Sequence, residues 1–373
     1  MYSTLFQIIY NNLKLITTTK LSKCSDSVQY AKETQLSINN PNYQIAGIDS
    51  DKQPSWINLL KKDYGYRGSY YKVFQDVYLM GKSATVIYKG KIILDSILNS
   101  KGYLYFKSDK RHLLFYPFFK TNKVVPVAIS LCNPLNGTFH HWLTEAVPML
   151  EALKTYQTEH PKEKVNIIVN YPTPNFIIEY LNLLGFKQGI ILSNKYNKVK
   201  VKKYIQSTIR FHQVEFSNQD NWHINFYPQS TFNFLREIQI PIIKNTPKKV
   251  YISREDASRK ILNEEELMNI IKEKGYEKII LTKKSVAYQI ALFRNMTHLI
   301  TPHGAALSNT IFSNNLKIIE LFPKSRSLEY AYYFYQSSYY YNHKHLLYIT
   351  ECDENQNILA PIQSLKLILE KEF

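Results

Sequence analysis

Cysteine, arginine and glycine are scarce in this chain of 373 residues, at three, eight and eleven. Cys24, Cys132 and Cys352 are odd in number, far apart, and show neither CxxC spacing nor histidine partners at zinc-ligand distances. That excludes a disulfide framework and a structural zinc site, and implies a reducing compartment. With so little glycine and only 15 prolines, a collagen-like or low-complexity chain is excluded as well. No window approaches the roughly 18 to 20 apolar residues needed to cross a bilayer. The opening stretch MYSTLFQIIYNNLKLITTTK is interrupted at Asn11 and Asn12 with no small-residue cleavage site behind it, so it reads as neither signal peptide nor span. A P-loop, G-x-G-x-x-G, G-x-S-x-G and H-E-x-x-H are all missing. Asp49-Ser50-Asp51 has the form of a metal-binding carboxylate pair but lacks an apolar strand before it, and is read as coincidence.

What is abundant is lysine and tyrosine. The net charge of +17 comes from 39 Lys beside 8 Arg, and there are 30 Tyr. A composition skewed in this way is weak evidence for nucleic acid. The densest run, Lys195 to Lys203, reads as a solvated strand edge protected by lysines rather than a phosphate-binding stripe. An RNA-binding protein would show strong, salt-dependent affinity for RNA, and no nucleic-acid partner is expected. The expected location is cytoplasmic, with a lysine-rich surface compatible with peripheral contact to an anionic membrane.

The length predicts two domains, each able to bury a core. Residues 1–65 are polar and poorly patterned and are expected to form an irregular arm. From 66 to about 130, short β-rich runs (SYYKVFQDVYLM, SATVIYKGKIIL, GYLYFKS, KVVPVAISL) separated by turn residues predict antiparallel sheet. Helix and strand then alternate: a helix over 138–155 with a break at Pro148, strand VNIIVN, a helix over 174–184, strand GIILS. Together, 66–240 form a first lobe, β-rich and then α/β. Residues 241–330 form the second, with strands KVYIS, KIILT, HLIT and KIIELF separated by single helices, which requires a parallel sheet. Asn263 caps its first helix, with Glu266 completing a capping-box-like pair and Gly275 as the stop. Residues 331–373, which begin Tyr-rich, are expected to pack back on the lobes. The predicted class is α/β, with two Rossmann-like lobes and a β-rich N-terminal region.

Ligands of open parallel sheets bind beyond the carboxyl ends of strands. The segment TPHGAALSN falls there: Pro302 ends a strand, His303 and Gly304 turn, and Ala305 leaves the first amides of a new helix unobstructed for an anion. Two of the eight arginines, Arg254 and Arg259, follow the opening strand of the same sheet, and guanidinium forks suit phosphate oxygens. The competing reading pairs them with Glu255, Asp256 or Glu264 at the surface. Glu320, at a strand end, is placed to accept ribose hydroxyls. In the first lobe, FHHWLTE groups His140, His141, Trp142 and Glu145; in a helix His141 and Glu145 share a face, so the carboxylate can orient the imidazole or act as a base itself.

The segments FHHWLTEAVPML (139–150), YISREDASRKILNEEEL (251–267), TPHGAALSNTIF (301–312) and IIELFP (318–323), in that order, resemble glycosyltransferase family 61, of the kind found in capsular polysaccharide biosynthesis. The resemblance implies a GT-B architecture with a cleft between the lobes, and metal-independent, inverting transfer of a sugar from a nucleotide-sugar, UDP-linked among the options, to a glycan or lipid-linked oligosaccharide acceptor. It requires no cofactor beyond that cosubstrate. It places Arg254 and Arg259 on the donor diphosphate and His303, Gly304 and Ala305 beside the nucleotide, with Asn263, Asn309 and Glu320 counted in the donor-binding set. His141 and Glu145 fall on the acceptor-facing His-Trp-x-x-Glu segment, and His140 stands where relatives often carry an aromatic, leaving open which of the three is the base. The alternative on the same fold is a catalytically inactive nucleotide-sugar or glycan-binding protein.

Overall fold

Two patterns in the chain, alternating strands early and Ile-rich strands with intervening helices late, resolve into two compact units. A computed structural model describes residues 28–31, 42–48, 50, 68–81, 84–93, 120, 121, 123–132, 138–186, 191–194, 198–208, 212–215 and 223–371. One unit comprises residues 1–34 and 65–213, the other 35–64 and 214–373. The expected strand GYLYFKS and the carboxylate pair Asp49 and Asp51 lie outside the described residues.

In the first unit the antiparallel and α/β portions share one eight-stranded mixed sheet. Ser69–Met80 pairs antiparallel with Lys198–Ser207, which pairs parallel with Lys123–Ser130; Asn166–Asn170 and Ile191–Asn194 follow in parallel. Lys198–Ser207 is thus interior, a correction to the strand edge expected for its lysines. The alternation was read correctly, but the lysines are accommodated individually. Lys198 lies 4.5 Å from the centre of the Tyr78 ring, Lys200 and Lys202 reach Asp76 at 3.1 and 3.2 Å, and Lys203 pairs with Glu163.

The second unit holds a six-stranded sheet in which every pairing is parallel. Its spatial order is Glu277–Ile279, Lys249–Ile252, His298–Pro302, Lys317–Pro323, Lys344–Thr350 and Tyr43–Gly47. Ile318, Ile319, Leu321 and Phe322 are all buried, the near-continuous apolar run of a strand covered on both faces. The five strands from Lys249 onward, numbered in chain order, stand as 2-1-3-4-5, so strand order reverses between Lys249–Ile252 and His298–Pro302. That reversal is the crevice where doubly wound sheets bind ligands.

Two stretches depart from expectation. Tyr43–Gly47, within the expected irregular arm, is the outermost strand of the second sheet, in register with Lys344–Thr350. The segment 331–373 supplies the helix Tyr332–Tyr340, the strand Lys344–Thr350 and the helix Ile362–Glu370, all within the second unit. Among the described residues, no helix is long and apolar enough to cross a membrane.

Candidate functional site

At the reversal point, Ser253 closes the strand Lys249–Ile252 by donating to Ile279 O (2.9 Å), and the chain then carries Arg254 and Arg259 in a short loop. Across from it, His303 and Gly304 follow His298–Pro302. The two loops meet. Arg259 Nε donates to His303 O at 3.1 Å, and Arg254 lies so close to Gly304 that a Cβ there would fall 2.2 Å from Nη1. Arg254 Nε is fixed by Ser258 O at 2.9 Å.

The surface-pairing reading of these arginines is set aside by where the acids go. Glu264 accepts from Tyr251 and Ser253 and pairs with Lys278 at 2.5 Å; Glu255 pairs with the same lysine at 2.6 Å; Asp256 accepts from Thr282. Among the described residues, neither arginine forms a salt bridge. Burial and then the neighbouring Arg259 push the Arg254 guanidinium down to about 10, with Asp256 opposing and Arg326 adding to the effect. Two half-buried cations side by side, without salt-bridge partners among the described residues, form an arrangement suited to an anion.

Arg326 was missed from the sequence. It follows the strand Lys317–Pro323, and its guanidinium carbon sits 3.6 Å from the centre of the Tyr330 ring. No local motif marks it. It joins the site only once the parallel register aligns Pro302 with Leu321.

His303 is 3% exposed, and its Nδ1 lies 2.5 Å from Glu320 Oε1; the other carboxylate oxygen receives His345 Nε2 at 2.9 Å, and His345 Nδ1 meets Ser338 Oγ at 2.7 Å. Burial alone would raise the Glu320 carboxyl, but hydrogen bonds from His303 and His345 hold it at about 2. His303 is lowered, chiefly by burial, so near neutral pH it is an uncharged ring donating Nδ1–H to a carboxylate. With 0% exposure and both oxygens engaged, Glu320 is unavailable to ribose hydroxyls, and its role is corrected to holding the His303 ring.

Three further expectations differ from the structure. Asn263 stands at the helix start without a capping bond. Its side chain instead donates to Ala360 O (3.0 Å) and accepts from Ala360 N (2.8 Å), which makes it a structural tie. Asn309 is 0% exposed and donates to Gln289 Oε1 at 3.3 Å, so it too is inaccessible to a donor. The element Ala305–Phe312 is a 3-10 helix rather than an α-helix; the Thr310 hydroxyl takes up Leu307 O, and the Thr310 carbonyl meets His343 Nε2 at 3.0 Å. Ala305 remains part-exposed at its start, but the positive charge of this site resides in the guanidinium groups.

The second group lies in the first unit. The expected helix over 138–155 is a composite: Phe139–His141 is α, Trp142–Ala146 a π turn, Val147–Met149 a 3-10 turn, and Leu150–Glu159 α again. Pro148 has no N–H for the Thr144 carbonyl, and the expected break is found there. Single π turns inside helices recur at functional sites. His141 Nδ1 lies 2.7 Å from Glu145 Oε1, and Glu145 is 4% exposed. Burial lowers the His141 imidazole, but the Glu145 charge and hydrogen bond prevail and leave it raised above 6.5. His140 is buried, with its ring 5.2 Å from that of His141, while Trp142 packs on Phe176 and Tyr180. A histidine oriented by a buried carboxylate is a general-base arrangement.

Compared with known proteins, the chain matches the family model described as Glycosyltransferase 61 over residues 139–319. That interval contains the His141–Glu145 pair, both loop arginines, the His303 turn and Ile319, ending just before Glu320. No curated protein matches the chain.

Proposed function

We propose, from the membership of residues 139–319 in glycosyltransferase family 61, that this chain is an inverting glycosyltransferase using a nucleoside-diphosphate sugar and a glycan hydroxyl as acceptor. The family carries the general activity. The observation supporting the finer reading is a pair of half-buried guanidiniums, Arg254 and Arg259, without carboxylate partners at the strand-order reversal of a parallel sheet.

In this reading the acceptor oxygen attacks the anomeric carbon while its proton passes to a general base, the role given to His141 with Glu145 orienting its ring. The bond from that carbon to the diphosphate oxygen breaks, and its electron pair leaves with the diphosphate. Attack opposite the departing group inverts the centre, so an α-linked donor gives a β-linked product. Arg254 and Arg259 stabilise the charge gathering on the leaving oxygens, so no divalent cation is required for that step. Glu145 raises the basicity of His141 and fixes its ring.

The test begins with the full chain and a panel of nucleotide-sugars followed by thermal denaturation, because a ligand bound only to the folded state stabilises it by about 2.7 kcal/mol at one hundred times Kd. A stabilising donor is then assayed for release of nucleoside diphosphate with and without acceptor glycans. Stabilisation plus release supports transfer. Stabilisation with no release under any acceptor would identify a binding protein, and the absence of stabilisation by every donor would refute the donor site.

A further inference from the structure

Arg326 lies outside the interval that matches the family and outside every local motif, yet its surroundings are those of a ligand-binding group. Its Nε is buried with no hydrogen-bond partner, and its Nη1 makes only a long contact, 3.3 Å, with Gln356 Oε1. Arg236 offers a contrast: it donates to Ile311 O, Ser313 O and Asn314 Oδ1, the pattern of an arginine built in for structure. The flat face of Arg326 is pinned on Tyr330, which fixes the fork's orientation while leaving its donors under-used. Among the described residues it has no salt-bridge partner. Among the described residues, the carboxylate whose charge acts on it is Glu320, which is already engaged by two histidines.

The three guanidiniums act on one another. Burial and Arg259 lower Arg326, and Arg259 and Arg326 both lower Arg254. His303 is likewise lowered by Arg326 and Arg259, after burial. Like charges gathered in a half-buried site with no salt-bridge partner among the described residues oppose folding, a cost characteristic of functional sites. An anion removes it.

We propose that Arg326 is a third anion-binding residue, completing with Arg254 and Arg259 a pocket for a pyrophosphate group. This rests on the transferase reading only for the identity of the molecule that carries the group. The number of charges points the same way. A nucleotide-sugar presents two negative charges at its diphosphate, and the nucleoside diphosphate that departs presents about three. Two arginines match the bound donor, and the third favours the state in which the bond has broken, which is where stabilisation accelerates the chemistry.

The experiment measures binding of inorganic pyrophosphate and of orthophosphate to the full chain by calorimetry, with wild type, R326Q and R326K. Wild type is expected to bind pyrophosphate at least tenfold more tightly than orthophosphate. R326Q should lose tenfold or more of the pyrophosphate affinity, with a shallower dependence on salt, and R326K should recover part of it. Without ligand, R326Q should melt at the same temperature as wild type or higher, since a repelling charge has gone. Unchanged pyrophosphate affinity in R326Q, or a lowered melting temperature with affinity retained, would mean that Arg326 only packs on Tyr330 and would overturn the proposal. If R326Q does not fold, full pyrophosphate affinity with lost salt sensitivity in R326K has the same consequence. Arg326-dependent pyrophosphate binding in a protein that transfers no sugar from any donor leaves this inference standing while the transferase reading fails. Transfer that persists at wild-type rate and donor KM in R326Q does the reverse.

Discussion

Gly304 has φ of 165°, extended backbone open to any residue, so its glycine is explained by space alone. A methyl there would meet Arg254 Nη1 at 2.2 Å, and the flexible guanidinium, not the backbone, would have to move. Gly304→Ala is therefore expected to fold normally, with a melting temperature within a degree or two of wild type, while donor affinity falls about tenfold, equivalent to about 1.4 kcal/mol. Arg254→Ala should do more, cutting kcat/KM by 100-fold or greater. Equal donor affinity in Gly304→Ala would show that Arg254 does not need its present position. In the first unit, His141 must be neutral to act as the proposed base, and Glu145 keeps its pKa above 6.5. The acid limb of kcat/KM against pH should accordingly lie above 6.5 in wild type. In Glu145→Gln the charge that raises His141 is gone, so the limb should move to lower pH as the maximum rate drops. A limb that stays in place would remove His141 from the role of base.

Among the elements, the strand Lys317–Pro323 matters most, because it carries Glu320 inward beneath the His303 turn and delivers Arg326 at its end. The sign of its acid sensitivity follows from the lowered carboxyl: Glu320 titrates near 2 in the folded chain against an ordinary 4.5. Its contribution to stability is complete above about pH 4.5 and is lost as pH falls toward 2. Urea unfolding between pH 5 and 3 should show stability declining less steeply with acidification in Glu320→Gln than in wild type. Parallel slopes would mean that the carboxylate is not held low. Much of this strand set was legible in sequence, because KVYIS, HLIT and KIIELF are short Ile-rich runs divided by helices, and a parallel sheet is the way to bury both their faces. The Arg254 and His303 loops could likewise be assigned to one edge. What could not be read depends on register and on side-chain partners. Glu320 looked like a ligand-facing acid because sequence does not show two histidines waiting for it, and Arg326 is 67 residues from Arg259. The π turn after His141 was visible only as the break at Pro148, since the same apolar spacing suits an α-helix. The interior place of Lys198–Ser207 was hidden for a similar reason: exposed and individually paired lysines give the same alternation.

At the scale of the whole molecule, the chain leaves its second unit and returns to it. Residues 35–64 belong with 214–373, while 1–34 and 65–213 form the other unit. The tie is the strand Tyr43–Gly47 along Lys344–Thr350, and it reaches the site through packing: the Tyr43 ring lies 4.8 Å from His345, which holds Glu320 and through it His303. Gly47 ends that strand at φ of +92°, where an L side chain is strained, and a Cβ would fall 2.0 Å from Ile349 O. Backbone on both sides leaves nothing flexible to yield. Gly47→Ala is therefore expected to destabilise the second unit by about 1 to 3 kcal/mol, and the location of the damage is the informative part. Hydrogen exchange followed by mass spectrometry should show faster exchange in Lys344–Thr350 and Lys317–Pro323, with Lys123–Ser130 and Asn166–Asn170 unchanged. Donor affinity should weaken along with it, since the chain of contacts from Tyr43 ends at His303. Exchange that quickens in the first unit, or in neither, would show that residues 43–47 do not stabilise the sheet carrying the Arg254 and His303 loops.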